Sequence, residues 1–272
     1  SKIEEKSPLF VGFSTVTGPH LRPTIRASKK VKKMDIPVVW GGIHATLLPT
    51  LCVKEKYVDY VVLFEGEVTI CKLANEISKE TSSPKEIKGL AFYENDKFIN
   101  TGKREFIDLD NYFPRFEKID LSKYFQKTMD CERVLPLITS RGCPFRCGFC
   151  YNVYFNDRNW RSHSLSPVMK QLKYLKSKYS IDGVDFHDDF FFANKKRAKK
   201  IIKKIDLPFF VECRASLIDK NFADFLEKND CKTLYIGAES GSNKILNHIN
   251  KDITTSDIKK AIKALKNTEI TP

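Results

Sequence analysis

The sequence predicts an α/β fold with two successive parallel-sheet regions, joined by a hairpin and an irregular linker. Short apolar runs alternate with stretches of helical length through most of the chain. Strands that alternate with helices at this spacing form right-handed crossovers, which arrange the strands in parallel. A loop with three closely spaced cysteines begins directly after one predicted strand. The 272 residues are enough for one large domain or two small ones.

The first region, residues 1–84, contains three predicted strands, each followed by a predicted helix. The strands cover residues 9–16, 37–40 and 58–64, and the helices cover residues 24–34, 46–56 and 68–79. Ligands of parallel sheets bind beyond the carboxyl ends of the strands. The residues there include Ser14, the pair Gly41-Gly42 and Glu65. Paired glycines allow a backbone to approach a bulky ligand closely.

The connecting region, residues 85–130, reads as a hairpin followed by a linker. Two strand-like runs, residues 87–93 and 97–101, flank the turn-forming cluster Glu94-Asn95-Asp96. Residues 108–124 contain Pro114 and many aromatic side chains and predict irregular structure.

The third region, residues 131–272, predicts four βα units of a barrel-like sheet. The strands cover residues 134–138, 183–187, 208–213 and 233–237, and helices follow from about residues 166, 194, 221 and 256. Active sites of barrels lie at the carboxyl ends of the strands. We therefore expect the cysteine loop, Asp188-Asp189, Arg214 and Glu239-Ser240 to lie near one another.

The cysteine loop predicts a metal site. Cys143, Cys147 and Cys150 have C-x3-C-x2-C spacing. A four-cysteine zinc site needs two C-x2-C pairs, and only one is present. An iron–sulfur cubane usually takes four cysteine ligands, so three ligands leave one iron open to a substrate or cofactor. A zinc knuckle with His163 as its fourth ligand is the alternative.

This loop, with its C-x3-C-x-aromatic-C spacing after a strand, resembles that of radical S-adenosylmethionine enzymes. The resemblance implies that Cys143, Cys147 and Cys150 hold a [4Fe-4S] cluster. The fourth iron would chelate the amine and carboxylate of S-adenosylmethionine. One electron would then cleave that cofactor to methionine and a 5′-deoxyadenosyl radical.

The same resemblance implies roles for the other strand ends. Asp188 and Asp189 replace the superfamily's common Gly-Gly-Glu, which binds the amine of S-adenosylmethionine, and its cobalamin branch often has an acidic pair there. Arg214 would pair with the carboxylate, since a guanidinium matches that group bidentately. A helix cap is the alternative for the two aspartates, and a surface ion pair is the alternative for Arg214.

Three further contacts to S-adenosylmethionine follow from the resemblance. Glu239 and Ser240 would reach the ribose hydroxyls, and the carbonyl of Phe149 would contact the adenine.

The first region resembles the later part of the cobalamin-binding domain of B12-dependent radical enzymes. The resemblance rests on residues 39–46, 58–62 and 65–67. It implies that Ser14 and the Gly41-Gly42 turn line the pocket for the nucleotide tail, beside the loop that carries Glu65. Two opening βα units and the Asp-x-His-x-x-Gly loop of some members are missing. We therefore expect a chain that is incomplete at both ends, in which His44 is equally well explained as a structural histidine.

Composition limits the remaining classes. The net charge of +13 includes many lysines around the polar side of the helix that begins near Asn194, and such charge is typical of a solvated face. The aromatic residues interleaved with basic ones that a nucleic-acid stacking platform needs are not seen. No run of about 18 apolar residues predicts a membrane span. Eight cysteines without a disulfide pattern predict a reducing compartment, the cytoplasm.

We therefore expect a cobalamin-dependent radical enzyme that acts on a small molecule and takes electrons from flavodoxin or ferredoxin. Methylation of an unactivated carbon is the first hypothesis, and a cyclisation or rearrangement is the second. A non-catalytic binding module and a zinc-binding interaction protein remain as alternatives of other classes.

Overall fold

The computed structural model describes residues 2–79 and 83–272. The chain divides into two compact units, Ser1–Asp108 and Leu109–Pro272. Each unit has its own five-stranded sheet. Within the described residues, no helix combines the length and the apolar character that a membrane crossing would require.

The first unit has a mixed sheet with the strand order β1-β2-β3-β4-β5. The strands are β1 Val11–Ser14, β2 Val38–Gly41, β3 Tyr60–Val62, β4 Leu90–Glu94 and β5 Lys97–Asn100, and the helices are α1 Lys2–Lys6, α2 Leu21–Lys32, α3 Gly42–Leu47, α4 Pro49–Val53 and α5 Glu67–Ile77. Strands β1, β2 and β3 are parallel, as the alternation of strands and helices predicts.

The hairpin of β4 and β5 belongs to this first sheet. Strand β4 pairs antiparallel with β3, so the hairpin extends the sheet at its edge. The sequence analysis placed the hairpin in a connecting region, because alternation within a hairpin does not reveal which strand it will join.

The helix predicted over residues 46–56 is divided in two. Leu48 leaves the helical region, with φ −129° and ψ 48°, and Pro49 begins α4. The ring of a proline disfavours helical backbone in the residue before it, which explains the break.

The second unit has the strand order β12-β11-β10-β7-β6 and a separate two-stranded ribbon of β8 and β9. The strands are β6 Gln126–Thr128, β7 Cys131–Leu137, β8 Ser140–Arg141, β9 Arg161–Ser162, β10 Gly183–Phe186, β11 Phe209–Cys213 and β12 Cys231–Ile236, and the helices are α6 Asn152–Phe155, α7 Leu165–Tyr179, α8 Lys195–Ile202, α9 Lys220–Lys228, α10 Asn243–His248 and α11 Thr255–Leu265.

Strands β7, β10, β11 and β12 are the four predicted strands, and their pairing is parallel throughout. Strand β6, which the sequence analysis did not predict, pairs antiparallel with β7 at the edge. At the other edge Thr271 forms a parallel bridge with Thr233 of β12.

The outward face of this sheet forms the main core. Phe186, Val211 and Leu234 lie on it and are 0–1% exposed, packed against the apolar sides of the surrounding helices. Side chains alternate between the faces of a strand, so the residues between these point to the inner face. The inner face and the carboxyl ends of the four strands carry the candidate site.

Candidate active site

Asp188 fastens the end of β7 to the end of β10. Its carboxylate accepts hydrogen bonds from the backbone N–H of Thr139 at 2.5 Å and from the hydroxyls of Thr139 and Ser140, each at 2.7 Å. The residue is 2% exposed. Burial raises the pKa of Asp188, and the three hydrogen bonds oppose that shift. With both oxygens occupied, this side chain holds the start of the cysteine loop in position.

Asp189 fastens the same loop at two further points. One carboxylate oxygen accepts a hydrogen bond from the N–H of Gly142 at 2.6 Å, and the other accepts one from the hydroxyl of Tyr151. Unlike Asp188, it lines a cavity. Burial raises the pKa of the Tyr151 hydroxyl, and the negative charge of Asp189 raises it further.

The backbone at Gly142 makes the tight turn into the loop. Its φ is +86°, and a Cβ built there would lie 2.0 Å from the carbonyl oxygen of Asn159. Only glycine adopts such a conformation at little cost, so the glycine before the first cysteine is required by the chain's own packing.

Cys143, Cys147 and Cys150 line one cavity of about 370 Å³. All three thiols are free, and burial raises the pKa of Cys143. Phe149 stands at the same cavity with 57% of its surface exposed. Within residues 2–79 and 83–272, no three His, Cys, Asp or Glu side chains are arranged around a single metal ion.

His163, the fourth ligand of the zinc alternative, has a different environment. Its ring stacks on Phe113 with centroids 3.9 Å apart, and its Nδ1 faces Asp110 at 3.5 Å. Burial lowers the pKa of His163. It is not among the side chains that line the cysteine cavity, and this placement disfavours the zinc knuckle.

Arg214 follows β11 and is 7% exposed. One terminal nitrogen lies 3.6 Å from Sγ of Cys147, and the other donates to the carbonyl oxygens of Lys251 and Asp252. Its guanidinium carbon lies 3.6 Å from the centre of the Phe145 ring. The structure therefore excludes the surface ion pair considered for Arg214.

Lys251 is a charged residue of the cavity that the sequence analysis missed. It is 7% exposed, and its Nζ lies 2.5 Å from Oε1 of Glu239 and 5.6 Å from the centre of the Phe149 ring. Gly237 leaves room for it, because a Cβ there would lie 2.7 Å from Nζ. Ser240 accepts a hydrogen bond from the N–H of Ser242 within its own turn. No local pattern marks Lys251, which follows α10 in an irregular loop.

A row of polar side chains on the inner face was also missed. Glu212 and Tyr235 are register partners on β11 and β12, and both line the cysteine cavity. His187, just after β10, lies 2.9 Å from Asp185 through Nε2. Hydrogen bonding to Asp185 raises the pKa of His187, and Glu212 adds to the shift. Alternation on parallel strands could have grouped these residues, had the register been known.

In the first unit, the ends of β1 and β2 lie side by side. Ser14 and Gly41 are register partners. Gly42 has φ +86°, and a Cβ there would lie 2.8 Å from the carbonyl oxygen of Thr15. Gly41 is less constrained, since its Cβ would meet its nearest neighbour at an ordinary 3.5 Å.

Glu65 and His44 of the first unit already have partners within the chain. Glu65 is 6% exposed and accepts a hydrogen bond from the N–H of Ile107. His44 lies 2.9 Å from the hydroxyl of Thr17 through Nδ1, and burial lowers its pKa.

Comparison with known proteins gives the class of this fold and site. Residues 137–272 match the Radical SAM superfamily, and residues 1–74 match the B12 binding domain. Because the first match covers half of the chain, the chain belongs to the radical SAM superfamily. The preceding B12 binding domain is the arrangement that the sequence analysis predicted.

Individual relatives refine this picture. An uncharacterized methyltransferase of Pyrococcus horikoshii is 33% identical over 97% of this chain and 59% of its own length. An anaerobic magnesium-protoporphyrin IX monomethyl ester cyclase of Cereibacter sphaeroides is 25% identical over 99% of this chain and 46% of its own length. The chain thus spans about half the length of these curated relatives.

The structure resembles that of the cobalamin-dependent S-adenosylmethionine radical enzyme OxsB, solved with aqua-cobalamin bound. The TM-score is 0.80 at 20% identity, over 99% of this chain and 41% of OxsB. At this identity the likeness establishes the fold alone.

The residues at the cavity fit the cofactors that family membership implies, a [4Fe-4S] cluster and S-adenosylmethionine. Three thiols are the soft donor set that iron–sulfur clusters use. Arg214 and Lys251 place positive charge beside them, and positive charge compensates the negative charge of thiolate-bound iron.

Proposed function

We propose that this chain contains the cofactor-binding core of a cobalamin-dependent radical S-adenosylmethionine methyltransferase. The carrying observation is the convergence of Cys143, Cys147 and Cys150 on one cavity at the carboxyl ends of four parallel strands. When bound, the cluster and S-adenosylmethionine supply a radical that removes hydrogen from an unreactive carbon, and cobalamin supplies the methyl group. The protein orients these groups and excludes water.

Charged side chains of the cavity would bind the groups of opposite charge on S-adenosylmethionine. Asp189 would receive the amine, because it lines the cavity, whereas Asp188 would act through the loop that it holds. Arg214 would bind the carboxylate of S-adenosylmethionine, since its Nε has no hydrogen-bond partner among the described residues. Lys251, which lines the same cavity, would add a second positive charge there. Glu239 would reach the ribose. Ser240 would support that turn.

The adenine would lie against Phe149, which lines the cavity. The exposed ring offers an apolar face, and Nζ of Lys251 lies 5.6 Å from its centre.

The substrate would face the inner row of His187, Glu212 and Tyr235. The His187 side chain is 51% exposed, and Glu212 and Tyr235 line the cavity. All three are therefore accessible to a small molecule. A wall of carboxylate, imidazole and phenol can both donate and accept hydrogen bonds, which suits a polar substrate.

Cobalamin would occupy the carboxyl ends of β1 and β2, where Ser14 and Gly41 meet. Glu65, bonded to Ile107, would support that edge from within. The one-electron donor would be a small carrier protein such as flavodoxin or ferredoxin.

The direct test is anaerobic reconstitution with iron and sulfide. The unmodified chain should turn brown, with broad near-visible absorbance, and reduced protein should release 5′-deoxyadenosine from S-adenosylmethionine. Cys143→Ala, Cys147→Ala and Cys150→Ala should each abolish cluster assembly, because the donor set loses a ligand.

Cys71→Ala is the matched control. Cys71 lies on α5 of the first unit and is exposed, so its replacement should leave the iron content unchanged. A colourless zinc-loaded protein, or equal iron in all four variants, would contradict the proposal. A cluster without measurable S-adenosylmethionine binding would favour the binding module.

Cyclisation is the second candidate, and the relative from Cereibacter sphaeroides supports it. The two candidates differ in the fate of the methyl group. Transfer of a labelled methyl group to a product supports methylation, whereas product formation without label supports cyclisation.

A further inference from the structure

We propose that Arg214 tunes the reduction potential of the cluster by hydrogen bonding to the sulfur of Cys147. This assignment rests on the proposed function, because it requires a cluster on the three cysteines. It gives Arg214 a positioning role toward the cluster that differs from the carboxylate contact implied by the resemblance.

The contact between Arg214 and Cys147 is buried on both sides. Cys147 is 8% exposed and Arg214 is 7% exposed, and Nη1 of Arg214 lies 3.6 Å from Sγ of Cys147. Sulfur is a weak acceptor when neutral, but a thiolate attracts a charged donor strongly. The low exposure keeps water from replacing this contact.

The guanidinium cannot easily turn away from the sulfur. Its other terminal nitrogen donates to the carbonyl oxygens of Lys251 and Asp252, and its flat face lies on the Phe145 ring. Phe145 is held in turn by edge contact with Phe190, with centroids 5.3 Å apart. A planar fork that binds at two ends and stacks on a ring is pre-organised, which a lysine would not be.

The segment that Arg214 grips also holds the cysteine loop directly. The N–H of Gly148 donates to the carbonyl oxygen of Ile249 at 2.8 Å, and Arg146 pairs with Asp252 at 3.2 Å. Arg214 thus joins two surfaces that are already fixed to each other, and the position of its charge relative to Cys147 is well defined.

The consequence follows from electrostatics. Uptake of one electron makes the cluster more negative, and a nearby cation stabilises the reduced form more than the oxidised form. Hydrogen bonds to sulfur, net charge and solvent exposure are the features that set such potentials. Removal of the Arg214 charge should therefore lower the midpoint potential.

The test compares Arg214→Gln and Arg214→Lys in reconstituted protein, by a dithionite titration followed with electron paramagnetic resonance. Arg214→Gln should give a clearly lower midpoint potential at unchanged iron content. Arg214→Lys keeps the charge but loses the fork, so its potential should lie between those of Arg214→Gln and the unmodified protein. Arg115→Gln is the control: Arg115 lies in the same unit, pairs with Glu117 at the surface with its side chain 81% exposed, and does not line the cysteine cavity, so the potential should stay unchanged.

The outcomes separate this inference from the proposed function. Failure of the unmodified chain to hold iron would remove the proposed function itself. If both Arg214 variants kept an intact cluster with the midpoint potential of the unmodified protein, the tuning role alone would be overturned. Loss of the cluster in both Arg214 variants, with normal iron in Arg115→Gln, would also overturn it and leave Arg214 as an anchor of the fold.

Discussion

At the scale of single residues, hydrogen-bond occupancy separates the two neighbouring aspartates. Asp188 is buried and bonded to Thr139 and Ser140, while Asp189 reaches the cavity from the same turn. The sequence treats them as equivalent members of an acidic pair. Their different surroundings predict different consequences on substitution.

Asp188→Asn should destabilise the second unit by roughly 1–3 kcal/mol, because an amide cannot accept all three hydrogen bonds and leaves a buried donor unpaired. Urea unfolding followed by Trp160 fluorescence in a Trp40→Phe background measures this, since the chain has two tryptophans, one in each unit.

The exposed Asp224 supplies the control, and Asp224→Asn should change the stability of the unit little. Equal stabilities of Asp188→Asn and Asp224→Asn would show that the Asp188 hydrogen bonds contribute nothing.

His187 should titrate with a pKa above the ordinary value of about 6.5, and Asp185→Asn should lower it, since the hydrogen bond to Asp185 is the main cause of the raised pKa. The raised pKa means that charged His187 contributes stability below about pH 6.5, which is lost as the pH rises through the folded-state pKa. Nuclear magnetic resonance of the ring protons, assigned with His187→Gln, reports the value. If the pKa of His187 were the same in Asp185→Asn as in the unmodified chain, the hydrogen bond between Asp185 and His187 would be ruled out as its cause.

At the scale of elements, the cysteine loop depends on how its glycines meet the surrounding chain. Gly142 has positive φ and no room for a Cβ, whereas a Cβ at Gly148 would meet its nearest neighbour at an ordinary 3.6 Å. These two glycines flank the first and second cysteines of the loop, so they form a matched pair for testing its geometry.

Gly142→Ala should destabilise the second unit by at least ~1 kcal/mol, the cost of a left-handed conformation for a residue with a Cβ, and should reduce cluster assembly. Gly148→Ala should affect both much less. Iron content per chain after reconstitution, together with thermal unfolding, measures the difference. Similar losses in the two variants would show that the loop has a different shape when it holds iron.

At the scale of the whole molecule, two α/β units each place their candidate residues at the carboxyl ends of parallel strands. In the first unit, as in the cysteine loop, one glycine has no room for a Cβ and the other does. Gly42 is required by its contact with Thr15, and Gly41 has space. Replacement of both glycines would therefore disturb the fold as well as a ligand site.

Gly41→Ala is the cleaner test of cobalamin binding. If the nucleotide tail of cobalamin approaches this backbone, the substitution should weaken hydroxocobalamin binding about tenfold, or ~1.4 kcal/mol, in equilibrium dialysis. Gly12→Ala, whose Cβ would also have space on β1, should bind as the unmodified chain does. Unchanged affinity in Gly41→Ala would move the ligand away from this strand end.

The sequence by itself determined the two parallel arrangements and the cysteine loop. Strand and helix periodicity and ligand spacing are local properties, so they survive without knowledge of the fold. The four strands of the second unit and the three strands of the first appear as predicted. The broken helix at Leu48 and the edge strand β6 show where local periodicity is weakest.

Only the tertiary structure decided which polar groups meet. Arg214 reaches Cys147 across 67 residues, Arg146 reaches Asp252 across 106, and the hairpin joins β3 through backbone pairing. Lys251 carries no local signal and enters the cavity because Gly237, just after β12, leaves space. Hydrogen-bond partners and burial depend on contacts between segments distant along the chain. For that reason the loop and its neighbours at the strand ends were predictable, and the particular hydrogen bonds that hold the loop were not.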